Sequence, residues 1–236
     1  MCQDCGCGDV NLVPVELQMR ILSRNDKVAA HNREHFASRG MFTINVMGSP
    51  GAGKTAVLEA TARAFGESAK MAALAGDLAT ENDAKRLELA GIRSRAITTG
   101  QACHLDAEMV HRELHAWDPG EADYLFIENV GNLVCPAVYD LGQNANVVVL
   151  SVTEGEDKPL KYPTMFAKAD VVLLTKTDLL PHLSVDVDAI YNAVARVMPE
   201  ALVMPICARD SAGIALWLEW LRQSRAALLR SIEVTA

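Results

Sequence analysis

The chain has 236 residues, half of them apolar and 22% charged, and its 22 Lys and Arg against 30 Asp and Glu give a formal charge of −8. Such a length holds one well-buried α/β domain plus an appendage rather than two full domains, and the acidic balance speaks against nucleic acid as a partner. No apolar run approaches the ~20 residues of a membrane span and the opening MCQDCGCGDV has no secretory pattern, so a reducing cytoplasmic location is expected, with cysteines serving as metal ligands or core residues.

The first element is the cysteine cluster Cys2-x2-Cys5-x-Cys7. Three thiols in a short terminal segment have no core to pack into. Completed by a terminal amine, a backbone amide or water, they suit Zn²⁺ or a square-planar Ni²⁺. Residues 6–14 read as a tether, so 1–14 is expected to be a disordered metal-binding tail. Residues 15–39 lack Pro and Gly and read as a helix, closing at Gly40. His31 and His35 in it are spaced to chelate and are expected to face solvent.

From Met41 onward, apolar runs alternate with helical stretches. Strands are expected at 42–47, 71–75, 95–97, 124–128, 147–152, 171–175 and 202–206. Helices are expected at 54–65, 80–90, 103–116, 159–168, 186–198 and 212–229. Runs such as Val147-Val148-Val149-Leu150 do not alternate and so are buried on both faces. The pattern predicts an α/β fold: a P-loop NTPase domain over 41–236 with a mostly parallel, doubly wound sheet, preceded by a helix over 15–40.

After the first strand comes Gly48-Ser-Pro-Gly51-Ala52-Gly53-Lys54-Thr55-Ala56, a Gly-x4-Gly-Lys-Thr phosphate loop. Its backbone N–H groups would surround phosphate oxygens, Lys54 would reach the β- and γ-phosphates, and Thr55 would ligate Mg²⁺. Asp77 and Glu128, each at a strand end, are the candidate carboxylates for that metal and for catalysis. Gly131 follows Glu128 at a switch-like spacing that would let its amide approach the γ-phosphate. Cys103 and His104 stand at an expected helix start. Cys103, Ala107, Val110, Leu114 and Trp117 would form a core stripe, and His104, Glu108, His111 and His115 a solvated one. Cys135 lies seven residues after Glu128. Thr175-Lys176-Thr177-Asp178 follows the sixth strand and resembles the Asn-Lys-x-Asp guanine signature, with Asp178 accepting from guanine and the Lys176 stem covering the ring. In Cys207-Ala208-Arg209 the Ala208 amide is placed to meet the guanine carbonyl. GTP is therefore the expected nucleotide.

Together these segments resemble the HypB family of nickel-incorporation GTPases in hydrogenase maturation, a SIMIBI-type fold. The resemblance rests on Cys2-x-x-Cys5-Gly-Cys7, the phosphate loop, Gly76-Asp77-Leu-Ala-Thr80, Thr99-Gly100-Gln-Ala-Cys103-His104-Leu-Asp106-Ala and Glu128-Asn-Val-Gly131-Asn-Leu-Val-Cys135-Pro. It implies a nickel site on the tail and a second metal site at Cys103, His104 and Cys135. It further implies GTP-to-GDP turnover, a GTP-favoured homodimer, a HypA-type partner and nickel delivery to the large subunit of [NiFe] hydrogenase. Departures are Thr175, Cys207 with Arg209, and the lack of a His-rich stretch. Competing readings are a urease-type nickel GTPase, a phosphotransferase or ATPase acting on a small metabolite, and a metal store.

Overall fold

The computed structural model describes residues 15–77, 81–100, 102–200 and 202–235. The expected tail with Cys2, Cys5 and Cys7 lies outside them, as do 78–80 and Gln101 of the motif segments. The elements run α1 (Val15–Ser38), β1 (Phe42–Met47), α2 (Lys54–Phe65), β2 (Met71–Asp77), α3 (Asn82–Leu89), β3 (Arg93–Thr98), α4 (Ala107–Ala116) and β4 (Tyr124–Glu128). There follow β5 (Ala145–Ser151), α5 (Lys158–Lys161), α6 (Pro163–Phe166), β6 (Val171–Thr175), α7 (Val187–Val197), β7 (Leu202–Ile206) and α8 (Ile214–Thr235). The strands form one parallel sheet in the order β3-β2-β4-β1-β5-β6-β7. Among the described residues no helix is long and apolar enough to cross a membrane.

All seven expected strands form, and two expected helices change. The helix expected over 103–116 begins only at Ala107. Asp106, in extended conformation, caps it by accepting from the Met109 N–H at 2.8 Å. Cys103 and His104 therefore sit in the preceding loop, on neither of the expected helical stripes, and His104 is buried at 4% exposure. The helix expected over 159–168 is two short ones, α5 and α6, parted at Tyr162. Pro163 has no N–H and its ring clashes with a continuing helix.

β1 lies at the middle of the sheet, where neighbouring strands lead away in opposite directions. In open parallel sheets that is where a ligand crevice forms, beyond the strand C-termini. Side chains of β1 alternate between two cores. Phe42, Ile44 and Val46 pack with Leu58 of α2, Leu87 of α3 and Trp217 of α8. On the other face, Met47 joins Phe166 of α6 and Ile190 of α7, while Leu125 and Ile127 of β4 join Phe36 of α1 and Val110 of α4.

α1 is fastened to α4 and to the loop before β5 through two buried asparagines. Asn25 accepts from the Ala107 N–H at 2.9 Å, one of the donors a helix start leaves without an internal partner, and donates to the Asp140 carbonyl at 2.8 Å. Asn32 donates to the carbonyls of Ala107 and Leu141 at 3.0 and 3.2 Å. A Cβ at Gly142, φ +91°, would meet the Ala29 carbonyl oxygen at 2.6 Å, so only glycine permits this approach of loop to helix.

Trp217 anchors α8. It is 1% exposed, stacks on Trp220, and its indole N–H donates to the Thr61 hydroxyl at 2.9 Å. Trp217→Ala is expected to cost about 3–5 kcal/mol in urea unfolding. Trp217→Phe should cost less, retaining an aromatic but losing the hydrogen bond; equal costs would show that cavity volume is not the controlling quantity.

Candidate nucleotide and metal site

The turn from β1 into α2 is shaped by three glycines, Gly48, Gly51 and Gly53, at φ 151°, 77° and 100°. A Cβ on Gly48 would stand 2.4 Å from the Val149 carbonyl oxygen, so the loop start tolerates no side chain. The turn opens on a cleft of about 460 Å³ lined by Gly51, Lys54, Thr55, Asp77, Glu128 and Gly131 among others. With Gly53 and Ala56, eight residues expected at the phosphate and Mg²⁺ site line it together. Ala52, fully buried, forms the loop floor.

Lys54 is buried, and its ammonium donates to the carbonyls of Gly48 and Ser49, each at 3.3 Å. Burial pulls its pKa down while Glu128 and other nearby carboxylates oppose the shift. The Thr55 hydroxyl lies 2.8 Å from Glu128 Oε1 and 3.0 Å from Asp83 Oδ1, and has one proton for the two. Glu128 is 3% exposed, and its Oε2 is buried without a hydrogen-bond partner. Burial pushes its carboxyl up to about 7, with the Lys54 charge and the Thr55 hydrogen bond opposing. Two carboxylates on one hydroxyl, a third from Asp77 lining the same cleft, and one Glu128 oxygen buried and unsatisfied make a donor set that fits a hard divalent cation such as Mg²⁺. Asp83 and Arg86 were not expected from the sequence; they enter because the short α3 begins beside the cleft. Arg86 is held in a fork by Glu59 at 2.9 and 3.0 Å. An acid in the first turn of the helix after Asp77 was the available signal.

The base motif lies across β1 from the Glu128 side, at the end of β6. Thr175 donates to the Ala52 carbonyl at 2.6 Å, so the residue in place of the usual Asn ties this strand to the phosphate loop. Lys176 adopts φ 60°, and its ammonium donates to the Gly51 carbonyl at 2.7 Å. Asp178 faces Arg209 at 3.6 Å, and the Ala208 carbonyl accepts from Arg63 at 3.0 Å. Cys207 is 1% exposed and burial raises its pKa, as for an inert core thiol.

Cys103, His104 and Cys135 come together, with one ligand atom from each all within 4.8 Å of one another. The two sulfurs are 3.2 Å apart, and Cys103 Sγ is 3.8 Å from His104 Nδ1. His104 stacks on Tyr139 with ring centroids 4.0 Å apart, and burial lowers its pKa, keeping the imidazole neutral and able to ligate. Two thiols and an imidazole suit a borderline cation such as Ni²⁺ or Zn²⁺.

Nucleotide cleft and triad are linked by the segment following β4. Gly48 and Asn132 pair as an antiparallel bridge, and a Cβ on Gly131 would collide with Pro50. Asn129, 1% exposed, accepts from the Leu105 N–H at 3.1 Å and donates to Asn45 at 3.1 Å. One buried amide thereby fastens the loop carrying Cys103 and His104 to β1 and to Glu128. Its sequence gave no sign of this, since asparagine in a loop reads as a turn residue.

Comparison with known proteins agrees with this geometry. Residues 42–205 match the family described as "CobW/HypB/UreG, nucleotide-binding domain". The hydrogenase maturation factor HypB of Azotobacter vinelandii is 47% identical over 217 residues, 92% of this chain and 72% of that protein. The crystal structure of HypB from Helicobacter pylori in complex with nickel superposes with TM-score 0.81 and 38% identity over 86% of this chain and 96% of that one. The signal recognition particle receptor FtsY of Elizabethkingia anophelis, TM-score 0.52 at 15% identity over 90% and 81% of the two chains, shares the SIMIBI-type fold alone. With most of its residues inside the family match and a close relative aligned over most of both chains, the chain belongs to the CobW/HypB/UreG family, in its HypB branch.

Proposed function

We propose that this protein is a GTP-hydrolysing nickel metallochaperone that helps insert nickel into the large subunit of [NiFe] hydrogenase. The observation that carries it is the covalent and hydrogen-bonded continuity from Gly48 through Asn132 and Asn129 to Cys103, His104 and Cys135. A metabolite kinase or ATPase would leave that triad idle. Nickel is the cargo, and Zn²⁺ has the same donor preferences at the triad. The relatives' names, hydrogenase maturation factors, and the nickel-bound neighbour support the cargo and the client.

In this reading residues 41–236 are the GTPase domain, 15–40 a helix docked on it, and 1–14 a tail whose Cys2, Cys5 and Cys7 receive nickel. Gly48, Gly51, Ala52, Gly53 and Ala56 present backbone to the phosphates, and Lys54 neutralises developing charge on the γ-phosphate. Thr55, Asp77 and Glu128, with Asp83, would hold Mg²⁺, which would supply neutralisation of phosphate charge. Asp77 or Glu128 orients the attacking water for in-line displacement. Lys176, Asp178 and the Ala208 amide select guanine. Arg86 is committed to Glu59, so intrinsic turnover is slow without an added arginine. The GTP state favours a homodimer, and a HypA-type protein supplies or accepts nickel in the cytoplasm.

The mechanical step is at Gly131. If its amide meets the γ-phosphate, Cys135, four residues on, shifts against Cys103 and His104. Metal–donor distances tolerate about 0.2 Å, so nucleotide state changes metal affinity, and linkage requires the reverse by the same factor.

Ni²⁺ affinity of the triad, measured with Cys2, Cys5 and Cys7 replaced by Ser, should differ by about fivefold or more between GDP and a non-hydrolysable GTP analogue. Equal affinities would leave a nickel carrier without a nucleotide switch. Lys54→Ala should reduce GTP hydrolysis by at least about 100-fold, read as phosphate release.

Glu128 supplies a pH test on the nucleotide-free protein. Its folded carboxyl sits at about 7 against an ordinary 4.5. The folded state therefore holds the proton more tightly, and the penalty for ionising is absent below about pH 4.5 and complete above about 7. Glu128→Gln should be stabilising at pH 8 by an amount on the order of 1–3 kcal/mol and near neutral at pH 4.5 in chemical denaturation. A destabilising effect at pH 8 would mean that the buried charge is already compensated.

A further inference from the structure

A metal site assembled from two segments responds to nucleotide only if one segment stays still while the other moves. Cys103 and His104 belong to the loop before α4, Cys135 to the segment after β4. The two arms are tied to different things. Beyond Glu128, Gly131 lies against Pro50 and Asn132 pairs with Gly48, so the arm carrying Cys135 rests on the phosphate loop. The arm carrying Cys103 and His104 rests on the sheet. Its Leu105 is fully buried over β2, where a Cβ on Gly76 would stand 2.9 Å from Leu105 Cδ1. Its exit at Ala107 is held by Asn25 and Asn32. Between these points the Leu105 N–H donates to Asn129 Oδ1 at 3.1 Å.

Asn129 is where the arms meet. Its backbone N–H donates to the Val46 carbonyl at 2.9 Å, which continues the β1–β4 ladder one residue beyond Glu128. Its side chain has one orientation. Oδ1 accepts from the N–H groups of Leu105 and Val130, so the amide nitrogen faces Asn45 Oδ1 at 3.1 Å. The same order carries on through the sheet. Asn45, 1% exposed on β1, donates to Asn146 Oδ1 of β5 at 3.1 Å, and Gln143 donates to that oxygen at 3.0 Å. A buried row of amides is costly to break at any member, because the partner left behind has no water to turn to. Asn129 is thus held to the sheet through both its backbone and its side chain, two residues before Gly131.

We infer that Asn129 is the positioning residue that couples the nucleotide cleft to the triad. It keeps Cys103 and His104 in the frame of the sheet while the segment from Gly131 to Cys135 follows the γ-phosphate. This rests on the reading of a nucleotide-governed triad and names the residue responsible. Without the Asn129 side chain, Leu105 loses its polar tie to β1. The loop then follows Cys135 through the bound ion, and metal is held equally well in both nucleotide states. The three donors remain, so nickel still binds.

The test measures Ni²⁺ affinity with GDP and with a non-hydrolysable GTP analogue, in the full chain with Cys2, Cys5 and Cys7 replaced by Ser. The quantity read is the ratio of the two affinities, which a general loosening of the loop leaves unchanged because it acts on both states alike. The ratio should be about fivefold or more in the parent and below about twofold in Asn129→Ala. Asn129→Asp keeps an acceptor for the Leu105 N–H and should restore at least about threefold. Asn45 is outside the cleft lining, and Asn45→Val removes the anchor of Asn129. It should lower the ratio too, and it decides the matter if Asn129→Ala does not fold. Asn32→Ala removes buried hydrogen bonds to Ala107 and Leu141 on the α1 side of the same loop and should keep the parent's ratio. A full ratio in Asn129→Ala, or an equal loss in Asn32→Ala, overturns the role of Asn129 and leaves the nucleotide switch standing. A parent with equal affinities in both states overturns the switch itself, and this role with it.

Discussion

Glu128 has almost no water to face, and the functional end of the sheet is arranged around that fact. A carboxylate buried at the end of a central strand is costly unless a cation or a proton accompanies it. Lys54 and Thr55 offset part of the cost from the first turn of α2, and one oxygen still lacks a partner. Such a position stays in a fold because of what it can receive. A hard cation bound with nucleotide would satisfy the unpartnered oxygen and restore ionisation, so charge balance in the cleft and occupancy of the cleft become one condition.

The chain leaves Glu128 along a route with little freedom. Asn129 is bonded on two sides, Gly131 lies against Pro50, and Asn132 pairs with Gly48. Within seven residues the same segment reaches Cys135 and its neighbours Cys103 and His104. A short, doubly tethered connection transmits displacement better than a long loop, which would absorb it. The sheet supplies the reference frame: β1 and β4 are in register from Phe42 opposite Tyr124 to Val46 opposite Glu128, so the phosphate loop and the switch segment emerge side by side.

Strand positions were legible in the sequence because a sheet covered on both faces reads as continuous apolar runs. The phosphate loop was legible because its chemistry fixes residue type at fixed spacing. Cys103 and His104 were misread at the level of local structure for an identifiable reason: helical spacing continues backward past a helix start, and only the capping geometry of Asp106 shows where it ends. The breaks at Pro163 and the approach of α3 were hidden likewise, the first by a run of helix formers around one proline, the second because Asp83 is an unremarkable acid until α3 is placed beside α2. Asn25, Asn32 and Asn129 were not legible at all. A buried asparagine acts through backbone groups far away in sequence, and nothing in its own neighbourhood marks that role.

The histidines show the same limit from the opposite side. Their i, i+4 spacings were visible on two separate helices, and each pair alone is an ordinary polar face. What brings them into ring contact is the parallel packing of α1 on α4, which follows from Asn25 at one end and Phe36 with Val110 in the core between. Neither helix could hold His111 in a defined tautomer unaided; Asn32 does so from across the interface because its own amide is fully engaged by Ala107 and Leu141. The ring contacts of His111 with His31 and His115 are therefore a property of the packed pair and not of either helix alone.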